Sequence, residues 1–400
     1  MQESSTSPPA ALDPAIFAEL QTTMEKDGPQ AVFSTLKERL SSQKKYHELF
    51  DVYLMETRHQ LNLPLIMTQS LDEMDEAIVG KVEEAYLEAC RVVGDLLLQE
   101  NKLREAWMYL RPAAAKQKVA DYLQQNEPDE EDLEDWIQIA VREGVDPERG
   151  FALALEHLGT CNCVTMFDSE TYHLPAEQRE AIAAMLARHL HEELKSTLFA
   201  EIAREEGSEP PEQPWKVLLE ERDWLFMDDA YHIDISHLGM VVKFGRLVKA
   251  KEPLLILQDL AEYGRRLSSQ YQYGSEAPFD DLYADHARFF EAQLGENVEE
   301  NLAFFAKQAA EREPHQEGWL VVEAYIALLC RLGRYEKAFE EHRDRIPSGV
   351  RLSGLAPTLM ELAQLSGRYD QLREVCKDRR DLVGFTAGLL QEKLTKNEAG

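Results

Sequence analysis

Two stretches of the chain concentrate side chains that can do chemistry. Residues 157–173 carry His157, Cys161, Cys163, Asp168, Glu170 and His173; residues 228–237 carry Asp228, Asp229, His232, Asp234, Ser236 and His237. Six of the eleven histidines lie between 157 and 237 once His189 and His191 are counted, so the middle of the chain is the place to look for a site. Thiolate and imidazole suit zinc, which makes His157, Cys161, Cys163, Asp168, His173, His232 and His237 a candidate ligand pool. Against this, Cys161-x-Cys163 is tighter than the usual gap between paired cysteine ligands, and there is no second pair. A thiol enzyme would set Cys161 or Cys163 against His232 or His237, with Asp234 orienting the imidazole. Neither cysteine sits in a recognisable cysteine-enzyme signature, and free cysteines commonly act as small apolar residues.

Other readings compete for the same residues. Glu56-x-x-His59 and Glu170-x-x-His173 have the spacing of a di-metal carboxylate site, although the second borders Pro175 and falls where a helix is not expected. Tyr231 to His237 would present His232, Asp234 and Ser236 on one face if extended. The simpler role for Asp234 or Ser236 is to cap the helix that follows. His189 lies beside an apolar stripe (Ile182, Met185, Leu186, Leu190) and reads as a satisfied, half-buried residue. Aromatics in 215–226 and 263–290 could line a peptide groove or fill a core. No glycine-rich phosphate loop or nucleophile elbow is present.

These side chains must be positioned by helices. Asp13-Pro14 and Asp146-Pro147 each place a capping carboxylate before a first-turn proline. Helices are expected at 14–25, 30–42, 45–60, 71–99, 102–110 and 115–125. The acidic run 127–135 reads as a helix start, with Leu133, Trp136, Ile137, Ala140 and Val141 as its buried stripe. Between Gly159 and Leu174 the helical period disappears, and 160–167 reads as loop or short strand. Helix returns at 176–204, 237–249 and 259–267. Residues 205–214, with three prolines, form the best linker, and 268–281 reads as loop.

Bulk composition narrows the partners. Seventy-four acidic residues against 43 basic ones leave a formal net charge of -31, which repels phosphate backbones and anionic lipid. Nucleic acid and membrane are therefore not expected as partners. Five scattered cysteines do not make a disulfide framework, and Met1 to Pro9 has no apolar signal core, so a cytoplasmic location is expected.

Gly333-Arg334-Tyr335 recurs as Gly367-Arg368-Tyr369, 34 residues on. Gly333-x-Tyr335-x-x-Ala338 follows an apolar helix, and Pro347 falls near a closing position. The second copy has Leu372 in place of the small residue. Over about 315–385 this resembles the tetratricopeptide repeat, a helix-turn-helix unit that stacks into a superhelix. Asn101-x-Leu103-x-x-Ala106 and Lys44-x-Tyr46-x-x-Leu49 keep the pattern's shape without its signature residues. The resemblance implies an all-α solenoid of hairpins with an irregular central insertion. Its expected segments are N-terminal hairpins at 1–125, a central region at 126–281, repeats at 282–394 and a disordered tail at 395–400. It implies a non-catalytic scaffold that binds a protein or peptide and needs no cofactor. The competing expectation is a metal-binding protein, zinc foremost, or an enzyme built on the central Cys, His and Asp residues.

Overall fold

The computed structural model describes residues 15–65, 75–272, 277–311, 319–350 and 352–398. Every regular element in them is a helix, as expected for an all-α chain. The contacts divide the chain into two units, Met1–Leu153 and Ala154–Gly400. Asp13-Pro14 and the first residues of the expected 71–99 helix lie outside the described residues.

The N-terminal unit contains α1 (Ala15–Asp27), α2 (Pro29–Ser42), α3 (Tyr46–Gln60), α4 (Glu76–Gln99), α5 (Leu103–Leu110), α6 (Lys116–Gln125) and α7 (Leu133–Ile137), which runs into a π-turn at Gln138–Arg142. Gly28 takes φ +81° and Pro29 opens α2, the backbone a proline start favours. Asp75 caps α4 by accepting the Ala77 N–H at 2.9 Å. Sequential helices from α1 to α5 pack on one another. The apolar stripes of α3 to α6 merge around Leu49, Val93, Leu97, Ala106, Leu110 and Leu123. At Gly94 a Cβ would lie 2.5 Å from Leu110 Cγ, so α4 and α5 approach as closely as they do only because that position lacks a side chain. Behind the acidic run, Trp136, Ala140 and Val141 are buried.

Helix α8 (Pro147–Glu170) crosses the division between the units and bends at Gly159, where φ is +79°. Asp146 caps it, accepting the Arg149 N–H at 3.1 Å. The expected loop or short strand at 160–167 is therefore corrected to helix. Cys163, Val164 and Phe167 share one helical face and are all buried, and that burial outweighs the β-prone Thr-Cys-Val-Thr composition.

The C-terminal unit continues with α9 (Ala176–Glu206), α10 (Trp215–Glu220), α11 (Ile235–Phe244), α12 (Lys251–Arg266), α13 (Leu282–Leu294) and α14 (Val298–Glu311). It closes with α15 (Leu320–Arg331), α16 (Tyr335–Arg345), α17 (Leu359–Ser366), α18 (Tyr369–Arg379) and α19 (Leu382–Glu398). The last helix runs to Glu398, past the point where a disordered tail is expected.

One turn recurs in both units. Lys44, Asn101, Gly333 and Gly367 all adopt left-handed φ, at +56°, +58°, +70° and +70°. The next residue in each, Lys45, Lys102, Arg334 or Arg368, donates its N–H to the carbonyl five residues back, at 2.8 to 3.0 Å. Four residues on, Leu49, Ala106, Ala338 and Leu372 are buried. The two degenerate sequence echoes thus share the backbone of the two clear copies. A left-handed lysine at position 44 costs about 1 kcal/mol that glycine would not; the packing of α2 on α3 holds it there.

Candidate functional site

Correcting 160–167 to helix separates the candidate thiols. Two residues on a helix are about 200° apart, so Cys161 is exposed while Cys163 is fully buried. They cannot ligate one ion together. Burial pushes the Cys163 thiol up to about 12, which keeps it protonated and unreactive. No hydrogen bond joins either cysteine to His232 or His237. His157 and Asp168 are exposed on α8. His173 is exposed in the turn after it, edge-on to Tyr172 with ring centroids 5.5 Å apart. Among the described residues no three His, Cys, Asp or Glu side chains gather to hold a metal. Glu56 accepts from Gln30 and Lys37 at 2.5 and 2.8 Å, so that half of the di-metal pattern is an ordinary ion pair.

The Tyr231–His237 string is split between two tasks. Asp234 caps α11, accepting the N–H groups of Ser236 and His237 at 2.8 and 3.1 Å. The Ser236 hydroxyl, first, and these backbone bonds hold its carboxyl below the usual range. His237 Nδ1 lies 4.0 Å from the same carboxylate. His232 turns inward instead. Its Nδ1 is 3.0 Å from Tyr263 Oη, which also accepts the His232 backbone N–H at 2.8 Å. Its Nε2 lies 2.9 Å from Glu201 Oε2. Burial lowers the imidazole pKa against the pull of Glu201. The ring is then neutral, with the Tyr263 hydroxyl donating to Nδ1 and the Nε2–H facing Glu201 (a tautomer assigned from these contacts). Glu201 and Tyr263 were not legible in the sequence, because they lie 31 positions away on either side and follow no local pattern.

The remaining central histidines are also engaged. His189 contacts Thr160 Oγ1 at 3.0 Å; His191 contacts Asp259 at 3.2 Å and packs on Trp215 at 4.9 Å. Tyr263, Tyr283, Phe279, Phe289 and Phe290 are almost wholly buried, so these aromatic side chains fill core.

The feature that sequence reasoning missed is α19. It packs on α18 through a glycine face: a Cβ at Gly384 would lie 2.8 Å from Cys376 Sγ, and one at Gly388 3.2 Å from Leu372 Cδ2. Its large apolar side chains point the other way. Leu382 is 80% exposed, Val383 78%, Leu390 57% and Leu394 55%, with spacings of seven and four that keep Val383, Leu390 and Leu394 on one face. A shallow cavity of about 280 Å³ adjoins this face, lined by Met360, Gln364, Tyr369, Leu372, Gly388 and Leu390. From Leu359 to Glu398 acidic and basic residues balance, seven of each, in a chain whose net charge is -31.

Among the described residues no helix is long and apolar enough to cross a membrane. No protein-family model matches this chain, and no curated protein or solved structure matches it.

Proposed function

We propose that the chain is a non-catalytic binding protein, a tetratricopeptide-like array of helical hairpins whose C-terminal face takes an apolar helix of a protein partner. The carrying observation is the orientation of α19, with glycines inward and leucines outward. Here that helix carries a stripe of exposed leucines and valine, the pattern that a partner helix covers through anchors at i, i+4 and i+7. The recurrent left-handed turn at Lys44, Asn101, Gly333 and Gly367 supports the repeat reading. The charge balance of 359–398 supports a partner with a neutral or mildly basic helix, since nothing local repels it.

The test places a photo-crosslinking residue at position 386, in the middle of the exposed face of the full chain. The captured protein is then purified and its affinity measured against wild type and against a Leu390→Glu, Leu394→Glu variant. Two charges on the face should weaken binding by about a hundredfold or more. The same affinity for both proteins would sink the proposal. So would capture of only a second copy of this chain, with a dimer in sedimentation that the variant abolishes.

A further inference from the structure

The C-terminal unit also contains a cavity of about 510 Å³ whose charge runs against that of the whole protein. Its charged lining is Arg179, Lys243, Arg246 and one carboxylate, Asp168. In a chain with a formal charge of -31, such a local excess of cations is a specific arrangement. The lining also includes apolar side chains, among them Phe167 and Phe244, whose ring centroids are 4.2 Å apart.

Both rims are held by one helix. Glu323 on α15 is buried and accepts the Ser353 N–H at 3.0 Å and its hydroxyl at 2.7 Å, fixing the connector beside the cavity. Arg331, at the other end of α15, donates to the carbonyls of Arg246 and Val248 and to Gln293. That clamps the turn carrying Arg246, whose Nε donates back to the Lys243 carbonyl at 2.9 Å. The cations are therefore mounted on fixed backbone.

Arg179, in the first turn of α9, is the telling residue. Its Nε is buried and has no hydrogen-bond partner, and among the described residues no carboxylate offsets the burial of its charge. Burial lowers its pKa with nothing to oppose the shift. A guanidinium withdrawn from water without a counter-charge is costly unless something else supplies one.

We propose that this cavity binds a small organic oxyanion, a phosphate- or carboxylate-bearing molecule, with the oxyanion on Arg179, Lys243 and Arg246 and an aromatic or aliphatic body against Phe167 and Phe244. Guanidinium forks suit both oxyanions, and an apolar wall adds affinity that a bare ion cannot use. The inference is independent of the α19 face and stands or falls apart from it.

Calorimetric titration of the full chain tests it with phenyl phosphate, benzoate, inorganic phosphate and benzyl alcohol. At least one of phenyl phosphate and benzoate should bind, and which is tighter identifies the head group. The better of them should bind about tenfold tighter than inorganic phosphate, while the uncharged alcohol should not bind measurably. Arg179→Gln should weaken that binding about tenfold or more with an unchanged melting temperature; Lys243→Gln serves as the second variant should Arg179→Gln disturb folding. No heat with either organic anion, equal binding of benzyl alcohol or of inorganic phosphate, or wild-type affinity in the folded variants would each overturn the proposal.

Discussion

In the N-terminal unit burial and charge are kept apart; in the C-terminal unit they are combined. Of the eleven polar or charged residues that are buried among the described residues, only Glu56 and Arg58 belong to Met1–Leu153. The core around Leu49, Leu97, Leu110 and Leu123 is built from apolar side chains. In Ala154–Gly400, His232, Asp285, His286, Asn301, Glu323, Glu341 and His342 are buried, and His232, Asp285, Asn301 and Glu323 hold polar contacts that reach Tyr263, Gln308, Arg288 and Ser353. The same hairpin turn serves both regions, so the turn specifies the hairpin and not what it encloses. Buried polar networks make a region specific and vulnerable at once, because each member left unpaired carries the full desolvation cost.

The comparison breaks most readily at Arg331. The residue is half-buried, and burial pulls its pKa down to about 10. Arg331→Ala should destabilise the C-terminal unit by roughly 4 kcal/mol, since it strands the Arg246 and Val248 carbonyls and removes a cation stacked on Phe289. Hydrogen exchange should show lost protection at 245–248 with α4 and α5 unchanged. Unchanged protection at 245–248 would show that the clamp is not real.

Leu110→Ala is the matching cut in the N-terminal unit, predicted to cost about 3 kcal/mol through the cavity left against Gly94. Gly94→Ala in the same background should recover part of the loss, because the new methyl enters the space vacated. Urea unfolding of the single and double variants measures the coupling. Additive costs would mean that the two positions do not share one cavity.

Acid should separate the units next. Burial lowers His232, against the pull of Glu201, and also lowers His342; it pushes His286 well below its ordinary value. These rings stay neutral in the folded unit while the unfolded chain takes up protons. Stability is therefore present above the unfolded histidine value and lost as pH falls below about 6.5. The slope approaches about 1.4 kcal/mol per pH unit for each ring that stays neutral. Burial raises Asp285, which acts in the opposite sense but nearer the carboxylate range. Hydrogen exchange between pH 7.5 and 5.5 should show α11 and α13 loosening before α4, and His286→Phe should flatten the trend.

The smallest effect marks where the two regions should agree. Lys118 pairs with Asp95 at 2.6 Å in the N-terminal unit and Arg188 with Glu252 at 2.6 Å in the C-terminal one, with both partners well exposed. Lys118→Gln and Arg188→Gln should each change stability by less than about 0.5 kcal/mol. A larger loss at Arg188 alone would mean that the contrast between the units extends to their surfaces.

Legibility followed the range of the interactions. The turns at Gly333 and Gly367, the Asp234 cap and the buried stripe behind the acidic run were readable, because each depends on residues within about five positions. The segment 160–167 misled, since its β-prone residues are helical with Cys163, Val164 and Phe167 buried, Phe167 against Phe244 of α11. The central histidines looked like a site because they are close in sequence; in space they serve separate contacts with Glu201, Asp259, Thr160 and Tyr263.

By itself, then, the sequence determined an all-α chain, most of its helices, the places where hairpins turn and the strong negative charge. Those properties follow from local backbone preference and from composition. Only the tertiary structure decided which cysteine is buried, which face of α19 meets its neighbour, and that three cations converge on one cavity. Arg331 reaches carbonyls 83 and 85 positions away. Contacts of that range depend on how helices stack, and no local pattern encodes them.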